Sequence, residues 1–170
     1  MPNYEDDIEY MNLVYDILKN SEVNKMSEIQ HHRDTRLNHS IKVSYRSYKL
    51  ARYLKLNYKS VARAGLLHDF YFEQVSEQEK VKDKVYLLLD KHPQDAIQNS
   101  LKYFELSDME KDIIRTHMFP FDIKIPRYFE SWLVSVVDKA VSVKETYYRF
   151  NKELSWATNV YILVMLKFMK

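Results

Sequence analysis

Cysteine is absent from this chain, and glycine occurs once, at Gly65. Without cysteine there is no disulfide framework and no thiolate metal site, so any metal must be held by histidines and carboxylates. One glycine and four prolines leave little material for strand-to-strand turns, which draw on residues that accept positive φ. The scarcity points to long helices with short polar connections. A charge excess of one sign is missing too: 26 basic and 24 acidic residues give a formal net charge of +2. That balance gives no electrostatic case for a nucleic-acid or membrane partner. The longest apolar run lies around Val160 to Leu166, far short of the roughly 20 residues of a membrane span. The opening MPNYEDDIEY is acidic and lacks the apolar stretch of a secretory leader, so a cytoplasmic location is expected.

What is present fits one domain over residues 1–170, with 46% apolar residues against 29% charged, enough to build a substantial core. Apolar residues recur at helical spacing almost throughout, which predicts an all-α, single-domain helical bundle. A first helix is expected over residues 5–18, and a short one from Ser21. The polar stretch from His31 to Thr35 reads as a connection, with His31 and His32 exposed. A long helix is expected over residues 36–54. Asn57 can cap the next, which carries Val61, Ala64 and Leu67. Ser76 with Glu79, and Ser107 with Glu110, have capping-box spacing. Pro93 suits the first turn of a helix, where its missing N–H costs nothing. Pro120 and Pro126 frame a loop before a helix over residues 128–144, in which Trp132 is expected to be core. A last helix over residues 154–169 is apolar on more than one face. It lies in the bundle or meets a second subunit, and the bundle position is favoured.

The informative feature is polar groups set inside apolar runs. His68-Asp69 interrupts the stretch from Ala64 to Phe72, and Asp138 interrupts the one from Leu133 to Val141. His39 shares a helix with Ile41 and Val43. An unpaired carboxylate is costly to bury and finds a partner or neutralises. A metal ion suits several such groups at once. Taken singly, each residue has an ordinary reading: a surface histidine, or an aspartate in a weak ion pair with the adjacent Lys139. Their order and context are what carry weight.

His39, His68-Asp69 and Asp138 on successive helices make the pattern H…HD…D. Arg36-Leu37-Asn38-His39-Ser40 is similar to an R-x-x-H-S opening, and Ala62-Arg63-Ala64-Gly65-Leu66-Leu67-His68-Asp69 to A-x-x-G-L-L-H-D. Val136-Val137-Asp138 is similar to a closing apolar-apolar-D segment. Together these segments resemble the HD superfamily of metal-dependent phosphohydrolases, over about residues 31–145. His92-Pro93 with Ala96 resembles the H-P-x-x-A segment of a subset, and Ile113-Ile114-Arg115-Thr116-His117 its I-I-x-x-H segment. Members with these extra histidines generally bind two metals. The spacing looks most like the compact bacterial branch that includes diadenosine tetraphosphate hydrolases. Two departures stand out. The family often has glycine where this chain has Asp95 or Ala96. It also often has an acidic or lysine residue soon after the HD pair, where Phe70-Tyr71-Phe72-Glu73 stands here.

The resemblance implies that His39, His68, Asp69 and Asp138 hold one divalent ion, and that Asp69 bridges to a second held also by His92 and His117. Iron, manganese, zinc and cobalt all suit such donors. A metal pair about 3.5–4 Å apart can clamp a phosphoryl group and activate a water for in-line attack. Arg36, one helical turn before His39, is the leading cation for catalysis and substrate binding. Arg115, Lys124 and Arg127 are further candidates for the substrate, as are Lys42 and Lys139, while Glu73 is a candidate proton donor. Phe119, Phe121, Tyr128 and Trp132 could wall a base. The implied activity is hydrolysis of a nucleotide phosphoester or phosphoanhydride, with a dinucleoside polyphosphate as the narrower choice. The competing readings are a catalytically silent HD fold that binds nucleotides or regulates, and a plain helical interaction domain.

Overall fold

The computed structural model describes residues 4–31, 34–72 and 91–147. The expected helix at Ser76, the candidate donor Glu73, His32 and the expected last helix over residues 154–169 lie outside them. A 3₁₀ turn at Tyr4–Asp6 leads into α1, Ile8–Leu18. Asp7 sets that start by accepting the Tyr10 N–H on its side chain, which places the α-helix a few residues later than the apolar spacing suggests. α2, Ser21–Asn24, begins at Asn20, whose side chain accepts from the N–H groups of Glu22 and Val23.

The stretch expected to be a plain connection contains a short antiparallel ladder. β1, Gln30–His31, pairs with β2, Asp34–Thr35, in the register Gln30 to Thr35 and His31 to Asp34. Thr35 then caps α3, Arg36–Tyr53, by accepting from the Asn38 N–H. α4 is Tyr58–Leu67, capped by Asn57 as expected. α5 is His92–Leu101, with Pro93 in its first turn. α6, Asp108–Thr116, opens on a complete capping box between Ser107 and Glu110. α7 covers residues 129–147.

α4 is the central helix, packing on α3, α1 and α6, while α5 lies against α6. Ile113 and Ile114 of α6, and Leu66 and Leu67 of α4, are fully buried, each side chain contributing roughly 1.5–3 kcal/mol. Where α3 crosses α4, a Cβ on Gly65 would sit 3.0 Å from Ser44 Cα, so the single glycine sets the helix separation. A buried polar chain tightens the same crossing. The Tyr10 hydroxyl donates to Ser44 Oγ at 2.8 Å, and Ser44 donates to the Ala62 carbonyl at 2.6 Å.

α7 is tied to the rest by carboxylates. Glu130 accepts the Asn57 N–H at 2.9 Å, and Asp112 accepts the Ser131 hydroxyl at 2.7 Å. Leu133, Val134 and Val141 face the core. Trp132, expected inside, is 40% exposed. It belongs to the outer side of α7, and its indole N–H donates to the Pro126 carbonyl at 3.1 Å. Among the described residues, no helix is long and apolar enough to cross a membrane.

Candidate metal centre

α3, α4, α5, α6 and α7 bring His39, His68, Asp69, His92, His117 and Asp138 to one place, and all six are buried. Two overlapping groups have donor atoms close enough to hold an ion. One is His39, His68 and Asp69, the other Asp69, His92 and His117, with donor atoms within 4.8 Å of one another in each. Asp138 adjoins the first group, its Oδ1 lying 3.0 Å from His39 Nε2 and 3.7 Å from His68 Nε2.

Asp69 joins the groups. Its Oδ2 lies 3.5 Å from His68 Nε2, while its Oδ1 lies 3.5 Å from His117 Nε2 and 3.7 Å from His92 Nε2. One carboxylate oxygen therefore faces each group, the disposition of a bridging ligand.

The helix ends fix which imidazole nitrogen is available. His68 directly follows α4, and its Nδ1–H donates to the Gly65 carbonyl at 2.8 Å. His117 directly follows α6, and its Nδ1–H donates to the Ile114 carbonyl at 2.7 Å. A carbonyl can only accept, so both rings carry the proton on Nδ1 and aim Nε2 inward. His68 Nε2 is buried without a hydrogen-bond partner. His117 Nε2 and His92 Nε2 stand 3.0 Å apart. A buried, partnerless nitrogen beside convergent nitrogens and carboxylates is a donor set that fits a cation.

At His117 the electrostatics agree. Burial pushes His117 down, the neighbouring His68 and His92 push it further, and its pKa falls to about 3 despite Asp69 and Asp138. It is held as the neutral imidazole that a ligand must be. Burial alone raises Asp69, but neighbouring histidines, His68 foremost with His92 and His39, outweigh it and hold the carboxyl well below its usual range. Asp138 is also lowered, against burial, chiefly by its bond to His39.

The other expected site residues are placed as follows. Arg36 is 2% exposed. Its guanidinium donates to the Tyr71 carbonyl at 2.7 Å and to the Tyr71 hydroxyl at 3.2 Å, and lies 3.9 Å from that ring's centre. Tyr71 in turn packs on His92, with ring centres 4.8 Å apart. Tyr71 thus forms the wall beside the second group, a role the sequence pattern did not reveal. Lys139 is half-buried, with Nζ 3.3 Å from Asp138 Oδ2 and donating to the His117 carbonyl. Burial lowers its pKa more than Asp138 restores it. Lys42 pairs with Asp34 at 2.7 Å and with Glu145 at 2.8 Å. Lys124 pairs with Asp122 at 3.3 Å, while Arg115 and Arg127 are exposed.

Glu145 had no place in the sequence reading. It is buried on α7 and accepts from His39 Nδ1 at 3.0 Å. Its i, i+7 relation to Asp138 was the available signal.

A family model described as HD domain matches residues 36–152. Neither a curated protein nor a solved structure matches the chain.

Proposed function

The chain belongs to the HD-domain family, and from that premise we propose that it hydrolyses a nucleotide phosphoester or phosphoanhydride with the help of two divalent metal ions. HD domains are generally metal-dependent phosphohydrolases. The observation that carries the two-metal reading is the Asp69 carboxylate, with one oxygen toward each histidine group. His39, His68, Asp69 and Asp138 would hold the first ion, and Asp69, His92 and His117 the second. Bound there, a divalent pair supplies Lewis acidity toward phosphoryl oxygens and acidifies water.

The chain's own part is positioning and charge. His68 and His117 present Nε2 through bonds to their own helices. Arg36 clasps Tyr71, which packs on His92, so its contribution is to orient that ring rather than to bind phosphate. Lys139 adds positive charge beside Asp138, which favours an anionic phosphoryl group. Phe121 is 65% exposed and its ring centre is 6.0 Å from Lys139 Nζ. It offers a face for a base close to that charge, which supports a nucleotide substrate. Lys124, Arg127 and Arg115 are the candidates for further phosphates. The family match does not select the diadenosine tetraphosphate branch; it is the two-metal reading that puts dinucleoside polyphosphates first among the substrates to try, ahead of nucleoside monophosphates.

The test is metal content per chain, with turnover measured under iron and manganese, for the native protein and His117→Ala. About two ions in the native chain, falling toward one in the variant with loss of turnover, is the expected result. One ion or none, unchanged by the substitution, would remove the two-metal reading. Two ions without turnover on any nucleotide would remove hydrolysis and favour a binding role.

A further inference from the structure

His39 differs from the other histidines in how its ring is held. His68 and His117 each use a carbonyl of their own helix. His39 lies in the first turn of α3 and uses a side chain from another helix. Its Nδ1 is 3.0 Å from Glu145 Oε2, while its Nε2 is 3.0 Å from Asp138 Oδ1. Two helical turns separate Asp138 and Glu145 on α7, so both face α3 and grip the ring from either side. The other Glu145 oxygen accepts from Lys42 Nζ at 2.8 Å, and Lys42 donates also to Asp34 at 2.7 Å. Glu145 is thus fixed in direction by a lysine that is itself anchored at the start of α3.

We propose that Glu145 is a positioning residue for the first metal: it accepts the His39 Nδ1–H and so aims Nε2 at the ion. This rests on the two-metal reading. A carboxylate acceptor makes the ring a stronger donor than a carbonyl would, and partners of this kind are worth about 10–100-fold in metal affinity. The bonds of the Glu145 carboxylate run to His39 and Lys42, on the side of the first group, so the second ion should be largely indifferent to it. The competing account is that Glu145 only clamps α7 to α3 through Lys42.

The test is calorimetric titration of chelator-stripped protein with Zn²⁺, for the native chain, Glu145→Ala, Glu145→Gln and Lys42→Met. It is joined by proton NMR of the zinc-loaded forms at low field, where a held imidazole N–H appears. Glu145→Ala is expected to weaken one ion about 10–100-fold, spare the other, and lose the His39 N–H signal. Glu145→Gln keeps an oxygen acceptor and should recover the signal and part of the affinity. Lys42→Met breaks the clamp but leaves the His39 bond, and should cost less than Glu145→Ala. Native affinity for both ions in Glu145→Ala would overturn the proposal. So would equal weakening of both ions, with Gln no better than Ala, or a loss in Lys42→Met that matches Glu145→Ala. A native protein that takes up no zinc would fail at the metal reading itself, and the inference would fall with it.

Discussion

In the metal-free protein, His39 is the clearest source of pH-dependent stability. Burial opposes its protonation, but the hydrogen-bonded Asp138 and Glu145 carboxylates prevail and raise its pKa from 6.5 to about 9. The folded protein therefore keeps this proton up to about pH 9, while the unfolded chain releases it near 6.5. The stabilisation is complete below 6.5 and is lost as pH rises through about 9. At about 1.4 kcal/mol per tenfold in proton affinity, the interval from 6.5 to about 9 is worth on the order of 3 kcal/mol. Against a typical total of about 5–15 kcal/mol, that is a large share. Other groups titrate as well, so the quantity to measure is a difference. Urea unfolding of the native chain and of His39→Gln, both in chelator, should be compared at pH 6 and pH 10. The native advantage should shrink by about 3 kcal/mol between them, a relative midpoint change of roughly 1–3 M at usual urea slopes. Glu145 is lowered to about 2 by the His39 and Lys42 bonds, which outweigh its burial, and Asp138 is lowered too. Both stay ionised across the window in the native chain. A gap that is constant with pH, or that widens above pH 9, would refute a buried imidazolium held between two carboxylates.

Two substitutions probe the scaffold. Gly65→Ala gains about 1 kcal/mol of helix propensity but puts a Cβ 3.0 Å from Ser44 Cα, where overpacking costs about 1–3 kcal/mol. A net loss of up to about 2 kcal/mol is expected in thermal melts, and a more stable variant would show that the crossing has room. Ser107→Ala removes the side-chain acceptor for the Glu110 N–H and a partner of the Glu110 carboxylate. It should cost about 1 kcal/mol by urea unfolding, and a neutral result would mean that water replaces the cap.

The helices and the residues that gather at the candidate site were legible because each leaves a local mark. Caps at Asn57 and Ser107 follow from short-range hydrogen bonding, and His68, Asp69 and Asp138 are conspicuous because polar groups rarely interrupt apolar runs. What stayed hidden depends on which helix meets which. Glu145 sits among Lys144, Thr146 and Tyr147, where a charged residue calls for no explanation. Only the pairing of α7 with α3 places its carboxylate on His39. Arg36 matched the family opening as a cation, yet burial commits it to Tyr71, a residue the motif does not specify. The β1–β2 ladder was hidden for a different reason: two-residue strands have too few positions to show alternation. Trp132 was misplaced because its neighbours Leu133, Val136 and Val137 obscure which side of α7 faces in.

Gly65 shows how closely local pattern and site are joined. Its α-carbon lies close against the Ser44 backbone where α3 crosses α4, and its carbonyl is the acceptor that fixes the His68 ring. Moving α4 outward by a few tenths of an ångström would therefore move Nε2 of a candidate ligand as well as open the core. A glycine in the middle of a helix is usually a weakness. Here it lets the backbone of one helix that carries candidate ligands approach the backbone of another, and the chain's only glycine stands at that position.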